Sequence, residues 1–189
     1  VVVPAFNEEA VLGTLRSMLG ETLAACDVRY EIVFVNDGST DATGLVLDRL
    51  AAADPHVRAV HLSRNFGHQA AVQAGLEHAR GDAIVLMDAD LQDAPTAIAQ
   101  FLARWQAGDD VVYAIRVNRK EHPLKRLLFS AFYRVPDRVS CTKMPLDAGN
   151  FGLLDRRVLR AIASLGERDR YFAGLRSWVG FRQSGVTVE

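Results

Sequence analysis

Short apolar runs alternate with helical patterns through the first 115 residues of this 189-residue chain, and this alternation restricts its fold most. Strand-like runs lie at 1–4, 30–35, 57–62, 83–87 and 111–115. Between them, apolar residues recur with the spacing of a helix face. Strands that alternate with helices pair in parallel, with the helices packed on the sheet. We therefore predict an α/β fold, a Rossmann-like and mainly parallel sheet with helices on both faces.

The motif Asp88-Ala89-Asp90-Leu91-Gln92-Asp93 directly follows the fourth strand-like run. Side chains two apart on an extended chain point the same way, so Asp88 and Asp90 should point together beyond the strand's end. Two adjacent carboxylates repel each other unless a cation lies between them, and Mg²⁺ takes such oxygen ligands. Alternatively, Asp93 caps the following helix, an interpretation that leaves Asp88 and Asp90 unexplained.

Polar clusters also follow the first two strands, at residues 4–9 and 36–39. Ligands of open parallel sheets bind beyond the carboxyl ends of the strands, so the three clusters predict one ligand site. The glycine patterns of dinucleotide-binding and P-loop proteins are absent. Asn7 is the predicted N-cap of the first helix, with Glu8 and Glu9 in its first turn.

Positive charge is concentrated in residues 116–143, which hold eight Lys or Arg residues and two acidic ones. The whole chain has a net charge of -1, so no nucleic acid partner is indicated. An amphipathic stripe runs from Leu124 to Val135 within the basic segment. This stripe either packs on the core or lies against an anionic membrane surface.

The second half of the chain is less regular. Residues 136–150 are predicted as a loop, and helices are predicted near 155–165 and 168–178. No apolar run reaches transmembrane length, and no signal peptide is visible. The chain opens inside a strand-like run without Met, so we expect a fragment whose parent protein carries any transmembrane helices elsewhere.

The sequence resembles the family 2 glycosyltransferases of GT-A fold, in the branch of polyprenyl-phosphate and dolichyl-phosphate sugar synthases. The resemblance covers nearly the whole chain. The motifs that carry it are Pro4-Ala5-Phe6-Asn7-Glu8-Glu9, Asp37-Gly38-Ser39-Thr40-Asp41, Ser63-Arg64-Asn65-Phe66-Gly67-His68-Gln69, Asp88-Ala89-Asp90-Leu91-Gln92-Asp93, Lys125-Arg126 with Ser130, Phe132-Tyr133-Arg134, Asp147-Ala148-Gly149 and Trp178-Val179-Gly180-Phe181.

The resemblance implies one GT-A catalytic domain over 1–189, with about 1–115 binding the nucleotide sugar and 116–189 on the acceptor side. It implies inverting transfer from a nucleotide-diphosphate sugar, with UDP-glucose or a related UDP-sugar as the expected donor. The expected acceptor is a polyprenyl (undecaprenyl or dolichyl) phosphate. The expected cofactor is Mg²⁺ or Mn²⁺, and the expected location is the cytoplasmic face of a membrane. A homo-oligomer is left open.

The resemblance also implies roles for individual positions. The expected metal ligands are Asp88, Asp90 and Gln92. The expected substrate contacts are Pro4, Phe6, Glu8, Asp37, Asp88, Arg116 and Ser130. The expected catalytic residues are Asp90, Arg126 and Asp147. For His68 and Gln69, donor contact and packing at a helix start both stay open.

The chain departs from the family pattern at several positions. Asn36 stands where many relatives carry an acid, Asn150 stands where an acid often follows Asp-x-Gly, and Ala173 stands where some relatives carry Arg. Asp147 is the expected substitute if a base is needed, although a lipid phosphate is already anionic near neutral pH. Two alternatives remain: a sugar or protein acceptor on the same fold, and a catalytically silent nucleotide-sugar-binding subunit.

Overall fold

Seven strands form one sheet in the computed structural model, which describes residues 1–116, 148–165 and 172–188. The strands are β1 (Val2–Ala5), β2 (Ile32–Asn36), β3 (Val57–His61), β4 (Ala83–Leu86), β5 (Val111–Arg116), β6 (Ala148–Asp155) and β7 (Gln183–Val188). The helices are α1 (Leu12–Ala25), α2 (Thr43–Ala53), α3 (His68–His78), α4 (Ala97–Gln106), α5 (Arg156–Ala163) and α6 (Phe172–Trp178).

The strand order is β3-β2-β1-β4-β6-β5-β7. The pairs β3–β2, β2–β1, β1–β4 and β5–β7 are parallel, whereas β6 runs antiparallel to both β4 and β5. The prediction of a mainly parallel α/β sheet is therefore confirmed. The carboxyl ends of β1, β2, β3, β4 and β5 consequently lie along one edge of the sheet.

Strand β6 corrects the prediction of a loop through residue 150, since it already begins at Ala148. Its first residues, Ala148-Gly149-Asn150, have low strand propensity, but pairing of Ala148 with Ile115 of β5 overrides that preference. Gly152 permits a close approach, because a Cβ there would lie 2.5 Å from the Val112 carbonyl oxygen.

The core has two layers, one on each face of the sheet, as the sequence predicted. Ile32 and Phe34 of β2 face a layer formed with α1, α2 and α4. Val33 and Val35 face the opposite layer, formed with α3, α5 and α6. Because alternate residues of one strand are buried on opposite faces, the strand reads as a continuous apolar run.

Helix α1 begins at Leu12, with Val11 as its N-cap residue, so the prediction that Asn7 caps this helix is wrong. Asn7 has a φ of 57°, and its side-chain oxygen accepts a hydrogen bond from the Thr40 backbone N–H at 2.9 Å. Asn tolerates this left-handed conformation better than most residues. Glu9 is likewise outside α1, and its carboxylate accepts from the Ala42 N–H, at 2.7 Å, where α2 begins.

The predicted amphipathic helix from Leu124 to Val135 lies outside the described residues. Of the two later predicted helices, the first corresponds to α5 and the described part of the second to α6. Within the described ranges, no helix combines the length and apolar character that crossing a membrane requires.

Candidate active site at the carboxyl edge of the sheet

A cleft of about 330 Å³ lies beyond the carboxyl ends of β1, β2 and β4, where open parallel sheets bind ligands. Its walls are formed by Pro4, Ala5, Phe6, Glu8, Asp37, Asn65, Gly67, His68, Ala71, Asp88, Ala89 and Asp90. The structure thus brings together six residues that were singled out in the sequence: Pro4, Phe6, Glu8, Asp37, Asp88 and Asp90. A larger cavity of about 510 Å³ is lined by Val1 and Trp105 among others, and none of these six lines it.

The loops that follow β1 and β2 are tied together beside the cleft. The Asn7 N–H donates to Ser39 Oγ at 3.0 Å, and the Glu8 N–H donates to Thr43 Oγ1 at 2.8 Å. Phe6 is left 43% exposed in the cleft wall. An aromatic face exposed in this way can stack on a planar ligand group.

Asp37 is buried at the end of β2, and both of its carboxylate oxygens accept backbone hydrogen bonds. Oδ1 accepts from the Phe66 N–H at 2.8 Å, and Oδ2 accepts from the Gly67 N–H at 3.0 Å. The Asp37 N–H donates to the Ala5 carbonyl at 2.9 Å. A carboxylate offers about four acceptor positions, so the predicted contact with a nucleobase stays a prediction.

His68 is the first residue of α3, and its Nε2 lies 2.9 Å from Asp88 Oδ1. The hydrogen bond to Asp88 is the main cause that raises the pKa of His68 above its usual value, with the charges of Asp88 and Asp37 acting in the same direction. The sequence left the role of His68 open. Its signal was its position in the motif of residues 63–69, directly before a helix.

Asp90 is exposed at the cleft, and its Oδ1 accepts from the Gln92 N–H at 3.1 Å. The pKa of Glu8 is raised, first by desolvation and then by the negative charges of Asp90 and Asp41. Gln92 is exposed and lies outside the cleft lining, so its role as a metal ligand stays a prediction.

The oxygen donors of Asp88 and Asp90 fit a hard divalent cation. Within the described ranges, no group of three or more His, Cys, Asp or Glu side chains is arranged to hold a metal ion. Two carboxylates leave most coordination positions to water and to a ligand. Mg²⁺ is commonly held in this way, by one or two carboxylates together with substrate phosphates.

Asn36, where the resemblance leads us to expect an acid, is not among the residues that line the cleft. Its Nδ2 lies 3.1 Å from His61 Nδ1, and its Oδ1 accepts from the Ser39 N–H at 2.9 Å. The Nε2 atom of His61 in turn lies 3.1 Å from Oδ1 of Asp48. Asn36 therefore supports the turn after β2 and does not line the cleft.

The side chains of four other predicted site residues lie outside what the structure describes. Arg126, Ser130 and Asp147 lie outside the described residues. Arg116 ends β5 at the cleft edge of the sheet, and only its backbone is described. Their roles stay predictions.

Comparison with known sequences gives consistent matches. Residues 1–163 match the sequence family described as "Glycosyl transferase family 2". The chain is 42% identical over 187 residues to "Uncharacterized glycosyltransferase YkcC" of Bacillus subtilis (strain 168), covering 98% of this chain and 58% of that protein. It is 40% identical over 181 residues to "Bactoprenol glucosyl transferase" of Shigella phage SfV, covering 95% and 59%. The chain thus spans about three fifths of the length of these curated relatives.

Among solved structures, the chain is similar to glucosyl-3-phosphoglycerate synthase from Mycobacterium tuberculosis, determined in complex with Mn²⁺, UDP-glucose and phosphoglyceric acid. The TM-score is 0.67, the sequence identity is 19%, and the match covers 99% of this chain and 69% of that one. At this identity the likeness shows the fold alone.

Proposed function

Because the chain belongs to glycosyl transferase family 2 and has the GT-A fold, we propose that it transfers a sugar from a nucleotide-diphosphate sugar to a polyprenyl phosphate, with inversion at the anomeric carbon. The observation that carries the proposal is the single cleft that gathers Phe6, Glu8, Asp37, Asp88 and Asp90. The 40% identity to a protein named bactoprenol glucosyl transferase supports a lipid phosphate acceptor. UDP-glucose or a related UDP-sugar is the proposed donor.

The order of the strands supports one orientation of the donor. Asp37 follows β2 and Asp88 follows β4, with β1 between these two strands. Neighbouring strands lie about 4.8 Å apart, so the two strand ends are roughly 10 Å apart. We place the nucleoside over β1 and β2, against Pro4, Phe6 and Asp37, and the pyrophosphate beside Asp88. Glu8 lies on the side of Asp90, whose negative charge contributes to raising the pKa of Glu8.

Asp88 and Asp90 are the proposed ligands of Mg²⁺ or Mn²⁺, with Gln92 as a third candidate. When bound, such a cation supplies Lewis-acid stabilisation to the leaving pyrophosphate. The chain's own contribution is to hold the carboxylates in place. The Gln92 N–H holds Asp90 Oδ1, and His68 holds Asp88 Oδ1.

The acceptor half of the proposal rests on the sequence. The lipid phosphate oxygen is already anionic near neutral pH, so the enzyme mainly has to orient it for attack on the anomeric carbon. Arg126 and Ser130 are the proposed phosphate contacts, with Arg116 as a weaker candidate. Asp147 is the proposed base if the reaction needs one. Because these residues all lie after residue 115, we propose that 116–189 forms the acceptor side of the domain.

We place this acceptor side at the cytoplasmic face of a membrane. The basic segment 116–143 supports the placement, because an anionic leaflet attracts clustered Lys and Arg residues. The lipid acceptor would be drawn from the same surface. A homo-oligomer is compatible with this arrangement and is not required by it.

A transfer assay tests the proposal. The purified protein is incubated with a panel of nucleotide sugars and undecaprenyl phosphate, with Mg²⁺, with Mn²⁺ and with EDTA. We expect metal-dependent sugar transfer to the lipid, most rapidly from a UDP-sugar.

Each part of the proposal can fail separately. Transfer that persists in EDTA contradicts the metal assignment. Transfer to a soluble sugar or protein, and never to the lipid, contradicts the acceptor. Donor binding without turnover on any acceptor favours the catalytically silent subunit.

A further inference from the structure

We infer that Gln69 is a positioning residue, which fixes the ring of His68 so that its Nε2–H group points at Asp88. The Asp88 carboxylate is thereby held with one oxygen bound and the other available to a cation. Gln69 is the second residue of α3, and it is not among the residues that line the cleft. The inference rests on the proposed function, because it concerns the support of a proposed metal ligand.

The orientation of the Gln69 amide follows from its contact with α6. The backbone N–H of Phe172, the first residue of α6, donates to Gln69 Oε1 at 3.3 Å. A backbone N–H can only donate, so the oxygen of the amide, and not its nitrogen, must face Phe172. The amide nitrogen is therefore left on the other side, where it lies 3.5 Å from Nδ1 of His68.

The amide nitrogen of Gln69 in turn fixes the His68 ring. Since an amide N–H donates, His68 Nδ1 must accept, and the proton of the neutral ring is then on Nε2. Nε2 lies 2.9 Å from Asp88 Oδ1, so it donates to the carboxylate. If the ring were turned by half a rotation, carbon atoms would replace both nitrogens at these contacts. A distance of 3.5 Å is long for a hydrogen bond, so this contact selects a ring orientation and adds little stability.

This arrangement leaves Asp88 with two different oxygens. Oδ1 is taken by His68, and in the described part of the chain Oδ2 accepts no hydrogen bond. Groups that hydrogen-bond to a metal ligand orient it and strengthen metal binding, so a carboxylate held in this way is prepared for a cation. Because Phe172 belongs to residues 116–189, the same amide also joins the proposed acceptor side to the proposed cation site.

Packing at the start of α3 is the competing explanation, and Gln73 provides the comparison. Gln69 and Gln73 lie about one turn apart on α3, and both line a groove of about 180 Å³ between α3, α5 and α6. The Gln73 amide donates to Glu77 at 2.9 Å within α3. A substitution at either position therefore alters the same groove, whereas Gln69, and not Gln73, contacts His68.

Hydrogen exchange of the metal-free protein tests the contact with α6. The Phe172 amide should exchange at least about tenfold faster in Gln69→Met than in the wild type, because it loses its acceptor. Met favours helices and is similar in length to Gln, so the variant should fold; Gln69→Ala takes its place if it does not. Gln73→Met is the matched control and should leave the exchange of Phe172 unchanged. Equal exchange at Phe172 in the wild type and the Gln69 variant overturns the inference.

Binding of Mn²⁺ in the presence of UDP, or of GDP if UDP does not support it, tests the effect on Asp88. The signal of free Mn²⁺ in electron paramagnetic resonance gives the affinity of the wild type, Gln69→Met, His68→Phe and the double variant. We expect His68→Phe to weaken Mn²⁺ binding by about tenfold and Gln69→Met to weaken it by a smaller factor. In the His68→Phe protein, Gln69→Met should cause no further change, because Gln69 acts through His68. Gln73→Met should bind Mn²⁺ as the wild type does.

The outcomes separate this inference from the function on which it rests. A wild-type protein that binds no Mn²⁺ with either nucleotide overturns the metal assignment and the inference together. Wild-type affinity in Gln69→Met or in His68→Phe overturns the inference alone. An equal loss from Gln69→Met with and without His68 overturns it as well, since a purely structural effect of Gln69 would add to the effect of His68→Phe.

Discussion

The Nε2 atom of His68 lies 2.9 Å from Oδ1 of Asp88, so the start of α3 is joined to the chain that follows β4. Four carboxylates, those of Glu8, Asp37, Asp88 and Asp90, line the same cleft. His68 is the imidazole among the lining residues, and its hydrogen bond gives one of these carboxylates a partner within the protein.

The first prediction concerns pH. The pKa of His68 is raised above 6.5 in the folded protein, mainly by the hydrogen bond to Asp88. A basic group whose pKa is raised by folding stabilises the folded protein. This stabilisation is complete at pH values below the unfolded-state pKa and is lost as the pH rises through the folded-state pKa. In EDTA, the melting temperature of the wild type relative to His68→Gln should therefore be highest at mildly acidic pH and should fall as the solution becomes alkaline.

Thermal scans from about pH 5.5 to pH 8.5 measure this difference. His78→Gln is the matched control, because that ring lies at the other end of α3 and contacts the Ala74 carbonyl at 2.8 Å. A pH-independent difference for His68→Gln, or the same trend in His78→Gln, would contradict the expectation.

The second prediction concerns Asp90. Asp90→Asn should reduce sugar transfer by at least about 100-fold, since a preorganised charge at the reacting centre is removed. Its melting temperature should stay near that of the wild type, because Asp90 is exposed and a side-chain oxygen remains to accept the Gln92 N–H. Glu21→Gln, which removes one exposed acid from α1, should leave transfer unchanged. An Asp90→Asn enzyme that keeps its transfer activity would contradict the role proposed for Asp90.

The third prediction concerns Glu8, whose pKa is raised above 4.5 by desolvation and by the charges of Asp90 and Asp41. For an acid with a raised folded-state pKa, the folded protein loses stability as pH rises from the unfolded value through the folded one. Glu8→Gln should therefore stabilise the metal-free protein at pH 7, and this gain should vanish below about pH 4.

Denaturant unfolding at the two pH values measures this gain. Glu9→Gln is the neighbouring control and should bring no gain, because the Glu9 carboxylate accepts the Ala42 N–H at 2.7 Å. Equal gains in the two variants would mean that overall charge, and not crowding in the cleft, is responsible.

The fourth prediction compares two glycines. Gly38 has a φ of 64°, and an added Cβ would meet the Arg64 backbone at 2.2 Å. Gly38→Ala should therefore destabilise the protein by about 2 kcal/mol or more and weaken nucleotide binding, because the loop of residues 63–67, between β3 and α3, is displaced. Gly13→Ala in α1, where nothing lies within 4 Å, should be neutral or stabilising by up to about 1 kcal/mol. Unfolding free energies and calorimetry check both variants, and a Gly38→Ala protein as stable as Gly13→Ala would contradict the close packing.

The first five strands and four helices could be predicted because their signals are local. Each has its own apolar period and its own turn residues, and burial on both faces makes the strands apolar throughout. Strand β6 had no such signal over its first residues. Its pairing partners, such as Ile84 for Leu154 and Val112 for Leu153, are distant in sequence, and tertiary pairing determined the outcome.

For the site, the sequence predicted which carboxylates meet in one cleft but not the contacts that hold the surrounding loops. The strand-end rule brought Glu8, Asp37, Asp88 and Asp90 to one cleft, because it depends only on topology. It could not show that Asp37 holds the backbone at Phe66 and Gly67, about 30 residues further on. Nor could it show that Asn7 turns toward Thr40, since a hydrogen bond between two loops leaves no periodic pattern.

The arrangement of β5 and β6 also bears on how such a domain can diversify. Ile115, near the end of β5, is paired with Ala148, at the start of β6, so the two points of attachment of residues 117–147 are adjacent. When both ends of an insertion are held side by side, a doubling of its length costs only about 0.6 kcal/mol in closure entropy. We therefore expect relatives to differ more in the stretch between these two strands, which is part of the side proposed above for the acceptor, than in the strands that form the cleft.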